Sequence, residues 1–238
     1  MNTMIEKRCT DYMKETKNPW GIKYKEGRKI SSFELNFIKK NLGTGQILDA
    51  AGGTGLFTTL ALQDTDSSIT ILDQDEGMLE AGKIQFPSNR YVSGSCYDMP
   101  FKNNFFDGIL VRANMMYFTD RKRYMAELAR VLKPGGNLVI IERNKFEFIR
   151  PLLSLMGKKN DPIANPADFV SFFELKKLLK KSNLSSQFTL GYGLSTPALS
   201  KTLIQYGGRL RLNIFPFKHH LLLKPFARWL FFHAQKPK

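Results

Sequence analysis

Apolar runs of five or six residues alternate along this chain with amphipathic stretches of about ten. Ser31-x-x-Glu34, with apolar Phe33, Phe37 and Ile38 at helical spacing, predicts a helix opened by a capping box, and Gly43 closes it. QILDA (46–50) reads as a buried strand that runs into the glycine turn AGGTG. LFTTLALQ has helical spacing, SITILD (68–73) predicts a second strand, and GMLEAGKIQF a second amphipathic helix. RYVSG and FDGILVR (106–112) read as strands three and four. Asp120 to Leu132 is amphipathic, with Met125, Leu128 and Leu132 on one side, and Lys133-Pro134-Gly135-Gly136 stops it. NLVIIE (137–142) is the fifth strand. Strands alternating with helices predict βαβ units and a mostly parallel sheet.

Later in the chain, Ser171-x-x-Glu174 opens a helix, FFELKKLLKK, and Asn183 suits a left-handed end for it. SSQFTLGY reads as a strand. The final RWLFFHAQ fits a strand or a short buried helix. Between them, roughly 193 to 226 holds Pro197, Pro216 and Pro225 without a clear period, which suggests a lid or insertion. The expected organisation is one domain: an N-terminal helical lid over 1–45, a core over 46–142, and acceptor-side elements over 143–238 with the basic insertion at about 193–226.

Composition narrows the class. The chain has 238 residues, of which 42% are hydrophobic, enough for one well-buried core and too many for a disordered chain. No uncharged apolar run approaches the ~20 residues of a membrane helix. Charges in MNTMIEKRC stand where a secretion signal needs apolar residues. Two cysteines, Cys9 and Cys96, make neither a disulfide framework nor a four-ligand zinc site, so no metal and a reduced, cytoplasmic compartment are expected.

The net charge of +15 is uneven. Residues 1–46 carry 10 basic and 5 acidic side chains, residues 47–174 carry 14 and 16, and residues 175–238 carry 12 and none. The middle of the chain is close to neutral; the excess lies mainly at the C-terminal end.

The strongest chemical signal is Asp49-Ala50-Ala51-Gly52-Gly53-Thr54-Gly55, between a strand and a helix. Glycines there admit a ligand to the backbone, and a helix N-terminus offers unpaired N–H groups. A dinucleotide fingerprint would need glycine where Thr58 stands, and no Gly-Lys-Ser/Thr of a P-loop is present. Strand two ends in Asp73, and a carboxylate at that tip can accept both hydroxyls of a ribose.

ILDAAGGTG, ILDQDEGMLE, GSCYDMPFKNNFFDGILV and ELARVLKPGGNLVIIE, in that order, resemble the motifs of class I S-adenosylmethionine-dependent methyltransferases. They are similar, more narrowly, to the small-molecule and lipid branch with an RVLKPGG turn. The resemblance covers about 46–142 and extends weakly through ELKKLL. It implies a Rossmann-like fold of class I type: an α/β, mostly parallel seven-stranded sheet flanked by helices, ending in an antiparallel strand pair. It implies S-adenosyl-L-methionine as cofactor and S-adenosyl-L-homocysteine as product. By the same resemblance Asp49 stands near the methionine moiety, and Ala51, Gly52, Gly53, Thr54 and Gly55 form the turn beneath the cofactor. Ala51 replaces a more usual glycine. Asp73 is the ribose acid, and Gln74 and Met78 flank the adenosine. Ser95 stands where the family usually has the aspartate that holds the adenine amino group, so Ser95 or Asp98 fills that role. Cys96, with a backbone N–H towards the ring and a small buried thiol, and Tyr97 complete that side. Arg112 faces either the cofactor carboxylate or a salt-bridge partner.

The acceptor is less legible. Such a cofactor carries its own activated methyl, so the protein has mainly to align the reactants and exclude water. Arg112-Ala113-Asn114-Met115-Met116-Tyr117-Phe118 follows strand four, where the family builds its acceptor edge. No histidine is near Met116 and Tyr117, and no Asn-Pro-Pro-Tyr motif of amino-methylating enzymes occurs. The segment reads as an apolar wall suited to an apolar acceptor, or as a site where Tyr117 orients an acceptor hydroxyl. Trp20 and Tyr24 are candidate lid aromatics on the acceptor side, with ordinary packing as the alternative. His219 and His220 read as surface residues. The C-terminal stretch interleaves its basic residues with nine aromatics from Phe188 to Phe232. Three readings stay open for it: a solvated face, an anionic membrane surface, and nucleic acid. The expected activity is methyl transfer to a small-molecule or lipid-like acceptor, the alternatives being an RNA methyltransferase or a non-catalytic module.

Overall fold

The computed structural model describes residues 32–146, 168–192 and 229–238. Trp20, Tyr24, His219, His220 and the expected insertion at 193–226 lie outside them. The elements are α1 (Ser32–Leu42), β1 (Gln46–Ala50), α2 (Leu56–Leu62), β2 (Ser68–Asp73), α3 (Glu76–Gln85) and β3 (Arg90–Ser93). There follow β4 (Phe106–Arg112), a 3-10 turn (Met115–Tyr117), α4 (Arg121–Val131), β5 (Leu132–Arg143), α5 (Phe172–Lys181), β6 (Ser185–Tyr192) and β7 (Trp229–Gln235).

The seven strands form one sheet in the order β3-β2-β1-β4-β5-β7-β6. β1 to β5 are parallel to their neighbours, whereas β7 runs antiparallel between β5 and β6. The order reverses direction at β1, and the crevice outside the carboxyl ends of β1 and β4 is where such sheets bind ligands. Alternate side chains of each strand face opposite layers. Leu48, Ile109, Val111, Ile140 and Phe232 join Tyr124, Leu128, Leu175 and Leu178 of α4 and α5. Ile47, Ile71, Leu110, Val139 and Phe231 join Phe37, Leu56, Leu60 and Leu79 of α1, α2 and α3. The helix of the expected N-terminal lid is thus a core layer over Ser32–Leu42, with the Phe37 and Phe231 rings edge to face at 5.1 Å.

Two local predictions meet their geometry here. Asn183 adopts φ +53° just beyond α5. The final segment is a strand, because β5 and β6 both offer it a full ladder. One boundary differs. β5 begins at Leu132, not Asn137, because Leu132 already pairs with Phe106 before Asn137 pairs with Gly108. Lys133 to Gly136 bulge between those pairs, with Gly135 at φ +77°. The C-terminal tail closes on this bulge. Gly135 donates to the Lys236 carbonyl at 2.8 Å, and Lys236 Nζ caps the carbonyls of Ala129 (2.7 Å) and Leu132 (2.8 Å).

Candidate active site

The chain turns sharply where β1 ends. Ala51 has φ +52°, Gly53 φ +58° and Gly55 φ +77°. The left-handed region suits glycine but costs alanine roughly 1–2 kcal/mol. Gly55 donates to Gly52 O at 3.0 Å, closing the turn, and a Cβ on Gly55 would lie 2.6 Å from Ile71 Cδ1. Only glycine satisfies both conditions.

Asp73 meets this turn from the tip of β2. Its Oδ2 accepts from the N–H of Gly53 at 2.8 Å, and its Oδ1 from the N–H of Asp75 at 3.0 Å. The carboxylate is therefore oriented by main chain on both oxygens, with lone pairs left for a ligand diol. Met78, on α3, brings its methyl group to 2.7 Å from where a Cβ of Gly53 would stand, so the turn and Met78 are in contact. Gln74 is exposed beside them.

Asp49 lies beneath the turn. It is 3% exposed, its Oδ2 accepts from Thr58 Oγ1 at 2.5 Å, and a Cβ on Gly52 would overlap its carboxyl group. Burial pushes its pKa up to about 7, against the Thr58 hydrogen bond and the Arg112 charge. Thr54 is buried, and its carbonyl accepts from the Tyr91 hydroxyl at 3.3 Å.

In the loop after β3, Ser95 Oγ accepts from the N–H of Tyr97 at 3.1 Å, so the hydroxyl already organises its own loop. Asp98 is exposed. Cys96 is 3% exposed and burial pushes its thiol up to about 12, the state of a small buried group. Tyr97 packs edge to face on Phe118 at 5.4 Å, and its hydroxyl accepts from the Asp120 N–H at 3.1 Å.

Arg112, at the end of β4, pairs with Glu34 of α1 (Nε to Oε1, 2.6 Å) and lies 3.2 Å over the Phe57 ring. Its side chain is only 16% exposed, so this is a sheltered pair at the edge of the site. Of the two expected roles, the structure displays the salt bridge, with a partner in α1.

Three residues of this site carried no sequence signal. Glu142, on β5 and 2% exposed, accepts from the N–H groups of Asn114 (2.9 Å) and Met115 (3.0 Å). Burial pushes its carboxyl up to about 7. Asn114 Nδ2 donates to the Ala50 carbonyl at 2.6 Å, and the Tyr124 hydroxyl reaches Asn114 Oδ1 and that same carbonyl, both at 3.4 Å. A continuous hydrogen-bonded path thus joins β5, the loop after β4, and the residue before the glycine turn. Each looked like a strand-end, loop or core residue in the sequence; partners 28 and 64 positions away define its role.

Beyond Asn114 the expected wall is present. Met115 is fully buried, Met116 and Phe118 are half-buried, and Phe118 stacks on Tyr124 with centroids 4.0 Å apart. Tyr117 stands on the rim, 47% exposed. The histidine that is described, His233, sits mid-strand in β7 and meets Asn137 at 2.9 Å, away from this edge. Among the described residues no cluster of metal-ligating side chains occurs.

Sheet order and the glycine turn after β1 together define a Rossmann-like α/β domain of the class I methyltransferase type. Residues 48–140 match the family model described as a methyltransferase domain. The ubiquinone/menaquinone biosynthesis C-methyltransferase UbiE of Francisella tularensis subsp. novicida is 31% identical over 123 residues, which is 48% of this chain and 47% of that protein. The demethylmenaquinone methyltransferase of Renibacterium salmoninarum is 34% identical over 97 residues, 41% and 40% of the two chains. The chain spans about half the length of the curated relatives it matches. Among solved structures, an S-adenosylmethionine-dependent methyltransferase from Thermotoga maritima superposes with a TM-score of 0.65 at 21% identity, over 85% of this chain and 87% of that one. The cyclase SpnF does so with a TM-score of 0.62 at 16% identity, over 85% and 79%. These likenesses show the fold; a cyclase among them illustrates that the fold alone does not set the reaction.

Proposed function

We propose that this protein transfers a methyl group from S-adenosylmethionine to a small, apolar or lipid-like acceptor. The observation that carries the reading is Asp73, locked by two backbone N–H groups beside a turn whose backbone is open to a ligand. The donor set fits the cofactor: a carboxylate for the ribose diol, Met78 for the adenine face, and the buried Asp49 carboxyl beneath the turn towards the methionine end. When bound, the cofactor supplies a methyl already activated on sulfur.

The protein's own part is placement. Asp73 and Met78 hold the nucleoside; the Glu142–Asn114 path fixes the loop opposite the turn; Met115, Met116 and Phe118 exclude water from the gap between them. The apolar wall favours an apolar acceptor. The names of the two quinone-biosynthesis relatives point to the same chemistry, an aromatic ring bearing a prenyl tail. Tyr117 and, outside the described residues, Trp20 and Tyr24 are the proposed acceptor contacts. Work in the cytoplasm, in reach of a membrane, suits such a substrate; no described helix is long and apolar enough to cross one.

Calorimetry with S-adenosylhomocysteine tests the first half. Micromolar binding is expected, and no binding by the wild-type protein overturns the enzyme reading in favour of a non-catalytic module. Incubation with labelled S-adenosylmethionine and either reduced demethylmenaquinone or tRNA tests the second half. Label in the lipid extract supports the proposal, whereas label in tRNA replaces it with RNA methylation.

A further inference from the structure

We propose that Tyr117, Phe146 and Phe173, together with the lysine face of α5, dock this protein on an anionic lipid bilayer. Among the described residues the exposed large apolar side chains are Ile84 (67%), Tyr117 (47%), Phe146 (49%) and Phe173 (61%). Single exposed apolar residues need no explanation, but a cluster does. Three of these four stand on segments that are tied to one another. Arg121 donates to the Met115 carbonyl at 3.0 Å, pairs with Glu174 at 2.8 Å, and also reaches the Asp168 carbonyl. Lys145 donates to Val170 O at 3.0 Å, where Asn144 and Val170 form a parallel bridge. Tyr117 lies two residues from Met115, Phe146 follows Lys145, and Phe173 precedes Glu174. The three aromatics therefore share the rim at the carboxyl ends of β4 and β5.

α5 extends this rim. Phe172, Leu175, Leu178 and Leu179 face the core, while Phe173, Lys176, Lys177, Lys180 and Lys181 are exposed at spacings of three and four. They line one face over about 12 Å of helix. Among the described residues Lys177, Lys180 and Lys181 form no ion pair. A stripe of ammonium groups behind phenylalanines that lack a polar handle matches a negatively charged interface with an apolar layer beneath it. A nucleic acid strand instead tracks a basic groove. The groove beside this stripe, about 370 Å³ between α4 and α5, is lined by Asp120 and Glu174 as well as by Arg121, Lys122, Lys177 and Lys181, so it offers a phosphate backbone a track of mixed charge. Docked this way, the apolar wall at Met115 to Phe118 opens towards the bilayer. The inference extends the reading of a lipid-like acceptor, but vesicle binding is measured with neither acceptor nor cofactor.

The full chain is co-sedimented with phosphatidylserine–phosphatidylcholine vesicles, with vesicles of phosphatidylcholine alone, and with tRNA as competitor. Each lysine near such a surface contributes about fivefold in partitioning. The triple variant K177A/K180A/K181A is expected to lose at least about tenfold on the anionic vesicles. Phe173→Ser is expected to lose less, and to leave binding that falls more steeply with salt. Both variants should keep the wild-type melting temperature and S-adenosylhomocysteine affinity, since the altered side chains are exposed. Equal wild-type binding to both kinds of vesicle overturns the proposal, as does a triple variant that binds like wild type. A triple variant that loses tRNA and keeps vesicles also overturns it, and assigns the face to nucleic acid. Failure of wild-type protein to bind S-adenosylhomocysteine bears on the methyl-transfer reading and not on this one.

Discussion

Asp73 is held in one orientation, because Gly53 and Asp75 each donate a main-chain hydrogen bond to one of its oxygens. A hydrogen bond to a charged group is worth about 1.5–3 kcal/mol. Asp73→Ala should therefore weaken S-adenosylhomocysteine binding by at least about tenfold in calorimetry; unchanged affinity would remove Asp73 from the nucleoside site. Two alanines, Ala51 and Ala113, sit at φ +52° on the tips of adjacent strands. Glycine at position 51 relieves roughly 1–2 kcal/mol of left-handed strain but adds about 0.5–1 kcal/mol of unfolded-chain entropy. Ala51→Gly should stabilise the protein by roughly 0.5–1 kcal/mol in denaturant unfolding. A loss of stability would show that the Ala51 methyl makes a contact outweighing the strain.

Between elements, Glu142 of β5 holds the loop that follows β4 by two backbone hydrogen bonds. Its carboxyl is pushed from 4.5 up to about 7 by burial, so it stays protonated in the folded protein where the unfolded chain has ionised it. The stability from this difference is fully present below about pH 4.5 and is lost as pH rises towards 7. Glu142→Gln removes that slope. The variant's stability relative to wild type should therefore rise between pH 4.5 and 7, by up to about 3 kcal/mol. Parallel urea curves across that range check it; a difference independent of pH would mean that Glu142 titrates as an ordinary carboxyl.

At the scale of the molecule, the last ten residues are structural. β7 lies between β5 and β6, Phe232 within it is fully buried, and Lys236 caps carbonyls at the end of α4. Phe232→Ala should cost about 3–5 kcal/mol in equilibrium unfolding. Truncation before Trp229 should yield no cooperatively folding protein, because β6 then has no partner and β5 an open edge. A truncated chain that melts cooperatively would count against this account. The charge divides along similar lines: the core segment is near neutral, and α5 carries the exposed lysines Lys176, Lys177, Lys180 and Lys181.

The helix and strand order, the glycine turn with Asp73, and even the left-handed Asn183 were legible along the chain, because each is set by neighbours a few residues away. Period, turn chemistry and strand-tip carboxylates leave local marks. The start of β5, the choice of Glu34 as partner for Arg112, and the Glu142–Asn114–Ala50 path were not legible. Each depends on residues brought together from 26 to 78 positions apart. An isolated glutamate at a strand end looks the same whether it faces water or two buried N–H groups. The sequence by itself determined which α/β fold forms and where its glycine turn lies. Only the packing of β4 on β5 and of α1 and α4 on the sheet decided which polar groups are sheltered, and burial is what turns a carboxyl group into a clamp.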